Sequence, residues 1–342
     1  VGSEMCIRDR GRAIYVSSVN GDDANSGYAP EKAFRSLKKV NQMEIQPGDQ
    51  ILLERGSVFV GEYLHLYRGG TKEAPVVVDA YGEGALPRIE TDGNGIWYQN
   101  YGGHLDNVVH TWKGYLSSAV LLYDAEYISI RNLEITNNPC VKNERLNQAD
   151  RMNRTGVSVI AKNHGTLHEI ELDHLYIHDV EGNIYDKHLN NGGIYMSVSR
   201  PDDEEKTGIA RYDGIHIHHC KVENCRRWGI AAGYTYQHDK FTTLELPDEV
   251  VKTYGSTNVV IEHNFVKDIG GDGITPMYCF EPLIQYNVSE NIAVDIHPDL
   301  YNEEGNRGGM TAAAIWPWKC KTALFQYNEV YNLSLIHISE PT

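Results

Sequence analysis

Long apolar runs are missing from this 342-residue chain, and none approaches the roughly 20 residues that cross a bilayer. Positive charge is scarce as well. Lysine and arginine number 31 against 47 acidic residues, a formal net charge of −16. Nucleic-acid phosphates demand a basic stripe, so such a chain is a poor candidate for that partner, and a polyanionic substrate is disfavoured too. Cysteine is sparse: apart from Cys6 there are Cys140, Cys220, Cys225, Cys279 and Cys320, an odd count with no metal-ligand spacing. There is no phosphate-binding loop, dinucleotide fingerprint, zinc pattern or Gly-x-Ser-x-Gly elbow. What is plentiful is Tyr (22), Gly (32) and Asn. That composition is common in secreted carbohydrate-active proteins, so a secreted, periplasmic or cell-surface location is expected.

The two ends of the chain read as one piece of foreign DNA. LSLIHISEPT (333–342) can be encoded so that its reverse complement, shifted by one base, translates to the chain's opening VGSEMCIRD. The string resembles a transposon end used to prepare sequencing libraries, so residues 1–10 and 333–342 carry no fold information. Residues 11–332 are expected to form a single domain, cut at both ends, with at least one further coil to follow. The chain is long enough to bury a sizeable core.

The strongest internal signal is a two-part repeat. One half reads aliphatic-x-Asn/His/Tyr-x-x-aliphatic-x-Asn/Asp: ISIRNLEITN, IELDHLYIHD, IHIHHCKVEN, VIEHNFVKD, LIQYNVSEN and LFQYNEVYN. Aliphatic and polar residues alternate there with the period of a half-buried strand. Each copy closes on Asn or Asp, residues that tolerate left-handed bends. The other half is Gly or Ala before Ile or Val: Gly156, Gly193, Gly229, Gly273 and Ala314, at intervals of 37, 36, 44 and 41 residues. Short strands at a steady period, with insertions between them, predict a β-solenoid in which each coil covers its neighbour. Helical repeats do not fit this alternation, and a propeller would need four strands per unit.

Identical residues at equivalent positions imply stacked columns. Asn264, Asn287 and Asn328 form one, and Cys279 and Cys320 another, expected to be reduced. PEKAFRSLKKVNQM (30–43) reads as a capping helix, with Phe34, Leu37 and Val40 on one face, covering sheet edges that would otherwise aggregate. Strands are expected at Gln50–Leu53 and Pro75–Val78.

YVSSVNGDDANSGYAPEKAFRSLKKVN, QPGDQILLERGSVFVGEYL and APVVVDAYGEG, followed by these repeats, resemble bacterial right-handed parallel β-helix proteins of the pectate-lyase-like superfamily. The resemblance covers nearly all of 12–332. It implies an all-β fold, a right-handed parallel β-helix with a short N-terminal capping helix and long inserted loops. That superfamily holds lyases, glycoside hydrolases, epimerases, esterases and non-catalytic adhesins, so fold alone does not settle function.

The resemblance also implies where a ligand lies: across a sheet built from one strand of each coil, walled by insertions. Aligning the Gly-Ile strands puts Ser158, Tyr195, Ala231, Thr275 and Trp316 in one outward column. Ile160, Ser197, Gly233, Met277 and Trp318 form the next, and Trp228 and Asp272 lie just before the glycines. Tyr195, Trp228, Trp316 and Trp318 would thus gather around Asp272 as a platform for sugar rings, with Arg227 alongside. The competing reading packs these aromatics beneath the loops. Glycoside hydrolysis needs two carboxyl groups. Asp272 could pair with Asp295 or Asp299 of the insertion IAVDIHPDLYNEEGNRGGM, whose His297 would touch substrate. That insertion could instead be a solvated acidic turn or a calcium site. Asp22, Asp23 and Asn25 are likewise a calcium loop or an Asx-rich turn, and no other cofactor is expected. His216 and His218 alternate with Ile215 and Ile217, which predicts an outward, solvated ladder rather than a metal site.

The sequence therefore points to a carbohydrate-active enzyme, a monomer without a transmembrane segment, that acts on a polysaccharide or oligosaccharide. Hydrolysis by paired carboxylates is favoured by the acidic balance. The alternatives are a calcium-assisted polysaccharide lyase and a non-catalytic glycan-binding β-helix.

Overall fold

The protein, seen here as a computed structural model, is described over residues 11–105, 110–139, 152–184, 186–243, 245–296 and 312–333. Each full coil gives one strand to each of three parallel sheets. Sheet A has nine strands, from Ala13–Val16 and Gln50–Glu54 through Thr166–Asp173 and Arg211–His218 to Leu324–Gln326. Sheet B has eight, from Val58–Val60 to Glu329–Tyr331. Sheet C runs from Leu64–Leu66 through Lys113–Tyr123, Asn153–Ala161, Gly192–Val198 and Trp228–Thr235 to Asp272–Pro276. Strand Ile96–Asn100 folds back antiparallel along Lys113–Tyr123. This is the parallel β-helix that the repeats predict.

Inward aliphatics stack coil on coil. Ile130, Leu172, Ile217, Ile261 and Ile284 pair in sequence on sheet A, and Ile135, Ile177, Val222 and Val266 on sheet B. All are buried in one continuous core, each worth about 1.5–3 kcal/mol of apolar burial. A Cβ on Gly193 would lie 2.4 Å from Val222 and 2.7 Å from the Gly229 carbonyl oxygen, so this position admits only glycine.

The turns are ladders too. Asp179, Asn224, Asp268, Asn291 and Asn332 all adopt left-handed backbone, φ between 47° and 53°, as residues with short polar side chains can. Between sheets A and B, His174, His219, His263, Tyr286 and Tyr327 are left-handed as well. Their rings stack at 4.8, 5.1, 4.9 and 5.0 Å. The asparagine column forms as expected. Asn264 Nδ2 donates to Asn287 Oδ1 at 3.0 Å, and Asn287 Nδ2 to Asn328 Oδ1 at 3.0 Å. Cys279 and Cys320 are free thiols in contact, and burial and that contact push the Cys279 thiol upward.

Two expectations need correction. The stretch 30–43 is not one helix: a 3-10 turn spans Pro30–Lys32, Phe34 pairs with Val16, and the α-helix is only Leu37–Asn41. Asp23 causes the break, because its Oδ1 accepts from the backbone N–H of Arg35 and Ser36, both at 2.9 Å. Leu37 and Val40 still enter the core. With Ala24 N donating to Asp22 Oδ1 and Asn25 Nδ2 to the Ala33 carbonyl, the 22–25 loop is an Asx-rich turn. The second correction is a one-residue slip: Ser197 pairs with Tyr234, not Gly233. Gly233, at φ +101°, bulges because a side chain there would strike the Met277 carbonyl at 2.3 Å.

Candidate functional site

The outward face of sheet C carries a second apolar cluster, and it is roofed. The roof comes from strand Ile96–Asn100, the 3-10 turn His238–Phe241 and helix Asp248–Tyr254. Trp97 from the roof packs with Tyr101, Tyr195, Trp228, Tyr234 and Tyr278 in this cluster. The structure thus corrects the open platform expected from Tyr195 and Trp228. Tyr195 is fully buried, its single hydroxyl proton within reach of the Lys187 carbonyl at 3.0 Å and the His188 carbonyl at 3.1 Å. Trp228 donates its indole N–H to the Lys187 carbonyl at 3.1 Å. Of the four expected platform residues, Trp316 and Trp318 stay half-exposed, edge to face at 5.6 Å.

Asp272 is 1% exposed and opens the last described strand of sheet C, paired with Trp228. Its Oδ1 accepts from Ala313 N at 3.0 Å and Trp316 Nε1 at 2.8 Å. Its Oδ2 lies 3.2 Å from Arg227 Nη2. Arg227 is itself fully buried, its guanidinium 4.9 Å over the Trp228 ring. Among the described residues Nε, Nη1 and Nη2 have no hydrogen-bond partner, and Asp272 is the charge paired with them. Gly271 makes room for this group, since a Cβ there would fall 1.5 Å from Arg227 Nη1. Asp272, Arg227, Trp228 and Trp316 are therefore brought together as the aligned columns imply.

A second buried carboxyl feels the charge of this arginine and is not among the sequence candidates. Asp186 lies in the insertion ahead of strand Gly192–Val198. Its Oδ2 accepts from Asn153 Nδ2 at 2.7 Å, and its Oδ1 from His188 N at 2.9 Å. Burial pushes its carboxyl upward against the lowering effect of these bonds and of the Arg227 charge. The His188 ring, stacked 3.5 Å from His110, is pushed well below the usual histidine range by burial and by the His110, Lys187 and Arg227 charges. Asn190 and Asn191 are fully buried behind it. The readable trace of this pocket is the polar run Asp186-Lys187-His188-Leu189-Asn190-Asn191 set directly before Gly192-Gly193.

Asp295 is placed differently. It is 3% exposed and sits at the corner after sheet B, with its N–H on the Gly270 carbonyl and its Oδ2 3.6 Å from Arg226 Nη1. Arg226 also makes a two-pronged pair with Glu181 at 2.6 and 3.0 Å. Consecutive arginines thus face the two aspartates, Arg226 towards Asp295 and Arg227 towards Asp272. A cleft of about 350 Å³ opens at Asp295, lined also by Asn224, Asp268, Asn291 and Val294. Asp299 and His297 lie outside the described residues.

No protein-family model matches the chain. The lacto-N-biosidase of Bifidobacterium longum subsp. longum is 40% identical over 358 aligned positions, which take in 94% of this chain and 22% of that protein. The resemblance is closer in two crystal structures of the GH136 lacto-N-biosidase from Eubacterium ramulus, a selenomethionine derivative and the native protein. Each is 52% identical to this chain, with TM-scores of 0.92 and 0.90 over 97% and 96% of it. The β-helix fold is shared throughout. The chain spans about half of those two solved chains, 53% and 52%, and a smaller share of the curated relative.

Proposed function

We propose that this chain carries the β-helix portion of a glycoside hydrolase that releases lacto-N-biose from oligosaccharides. One observation carries the reading: 52% identity and a TM-score of 0.92 to the Eubacterium ramulus lacto-N-biosidase across 97% of the chain. The site supports it. Two buried carboxyls have different surroundings, Asp272 in a close pair with Arg227 and Asp186 without one among the described residues, the arrangement that separates an acid from a base. Asp186, kept towards its neutral form by burial, is the acid that protonates the glycosidic oxygen. Asp272, paired with Arg227, is the opposing carboxylate. Trp316 and Trp318 offer ring faces to sugar C–H groups. Asp295, braced by Arg226, is the second candidate for the acid.

Elimination is less well served. The arginines, one kind of base such a reaction uses, are each held by a carboxylate here, Arg226 by Glu181 and Arg227 by Asp272. The test is incubation with a chromogenic aryl lacto-N-bioside and with a natural oligosaccharide ending in lacto-N-biose, the products being separated by chromatography. Free lacto-N-biose is expected. Release of monosaccharide alone, an unsaturated ultraviolet-absorbing product, or binding without turnover would overturn the proposal.

A further inference from the structure

On the outer surface of sheet A, away from the sheet C site, two neighbouring coils gather imidazoles and carboxylates whose chemistry is that of a metal site. His216 and His218 lie two apart on strand Arg211–His218, so both side chains leave the same face. Their rings stack at 3.9 Å. Glu171, on strand Thr166–Asp173, sits directly opposite His216 in the ladder. One nitrogen or oxygen from each of Glu171, His216 and His218 falls within 4.8 Å of the others. We propose that these three residues bind a single divalent transition-metal ion of the zinc class, with water in the fourth position.

Three features fit this use. The ligand set, two imidazoles and a carboxylate, is one that zinc takes with an open fourth position. Bonds of about 2.0–2.2 Å would need the ligand atoms drawn somewhat closer than they stand, within reach of side-chain rotation. Next, the ligands are braced from behind, as metal-bound histidines are. His218 Nδ1 lies 3.0 Å from Asp173 Oδ1, leaving Nε2 towards Glu171 at 3.2 Å. Glu171 Oε2 accepts from Ser129 Oγ at 2.5 Å, and His216 Nε2 lies 3.0 Å from Glu262 Oε1. Finally, the site is deep on one side and open on the other. The His218 side chain is 13% exposed, while His216 and Glu171 are 41% and 39% exposed. A bound ion would link the coil of Glu171 to the coil of the two histidines across sheet A.

Asp173, His174 and His219 form a neighbouring group of the same residue types. There the two rings are held flat against each other in the turn ladder, 4.8 Å apart and within 10° of parallel. His218 Nδ1 also meets His219 Nδ1 at 2.9 Å, which ties the two groups together. The assignment to the first group rests on Asp173 acting behind His218 rather than as a ligand.

Titration of the untagged protein with zinc chloride, followed by calorimetry near neutral pH, tests this. One ion per chain is expected, with binding lost as the histidines protonate at lower pH. His218→Ala and Glu171→Gln should each weaken binding at least tenfold, and His174→Ala should leave it unchanged. Asp173→Asn, which removes only the brace, should weaken it by about tenfold or more. Circular dichroism and melting of each variant establish that it is folded, and Glu171→Gln serves if His218→Ala is not. Absence of saturable binding, equal affinity in wild type and folded variants, or a loss that follows His219→Ala but not His218→Ala would overturn the proposal.

Discussion

Trp316 donates its indole N–H to Asp272 across a coil boundary, at 2.8 Å, while Ile315 bridges to Ile274 beside it. A half-exposed aromatic is thereby fixed to a buried carboxylate. Asp272→Asn keeps the shape but removes the charge facing Arg227. We expect kcat/KM on an aryl lacto-N-bioside to fall by about 10²–10⁴-fold, the usual range for an acid–base group. Initial-rate kinetics beside an unchanged circular dichroism spectrum checks this, and full activity would remove Asp272 from the site.

The Arg227–Asp272 pair, with side chains 1% exposed on both partners, makes a prediction about stability. Arg227→Met strands the carboxylate and should destabilise the fold by about 3–5 kcal/mol. The double variant with Asp272→Asn should recover part of that loss. Denaturant unfolding of the two single variants and the double variant gives the coupling, and strictly additive effects would count against the pair.

Gly271 is expected to tolerate no side chain. A methyl group there meets Arg227 Nη1 at 1.5 Å and the Arg227 carbonyl oxygen at 2.4 Å. Gly271→Ala should therefore lower the melting temperature sharply or prevent folding. At Gly103 the nearest atom is 3.9 Å away, and Gly103→Ala should melt like the parent. Differential scanning calorimetry distinguishes the two outcomes.

His65 supplies a pH dependence. It is buried in the first strand of sheet C with Nε2 2.9 Å from the Ser118 carbonyl, and burial lowers its pKa to about 4. The unfolded chain titrates near 6.5 and so binds more protons between those values, making folding weaker as pH falls through that window. The loss should approach about 3 kcal/mol at the bottom of it. His65→Gln should remove this slope, measured as unfolding free energy against pH.

Much of the coil was legible because inward and outward residues alternate and each bend carries Asn or Asp. The columns through Ile194, Ile230 and Ile274 fall where the Gly-Ile repeats place them. What escaped depends on partners remote in the chain. Asp23 breaks the expected helix by bonding Arg35 and Ser36, which no local helix pattern reveals. Tyr195 and Trp228 look like surface aromatics until the roof from residues 96–100 and 238–254 is placed above them. Asp186 is buried, which raises its carboxyl, and the groups that oppose this are remote in the chain, Asn153 33 residues earlier and the Arg227 charge in the next coil. Sequence spacing carries neither relation.

The in-register stacking of strands turns the molecule into a ruler. Moving a functional group from one coil to its neighbour shifts it by about 4.7–4.9 Å along the axis with little sideways drift. Asp272, Trp228 and Trp316 occupy adjoining graduations on that scale. Diversification on such a scaffold is therefore stepwise: a trough gains or loses whole increments of length, while the roof above it can be rewritten independently of the barrel of aliphatic rungs below.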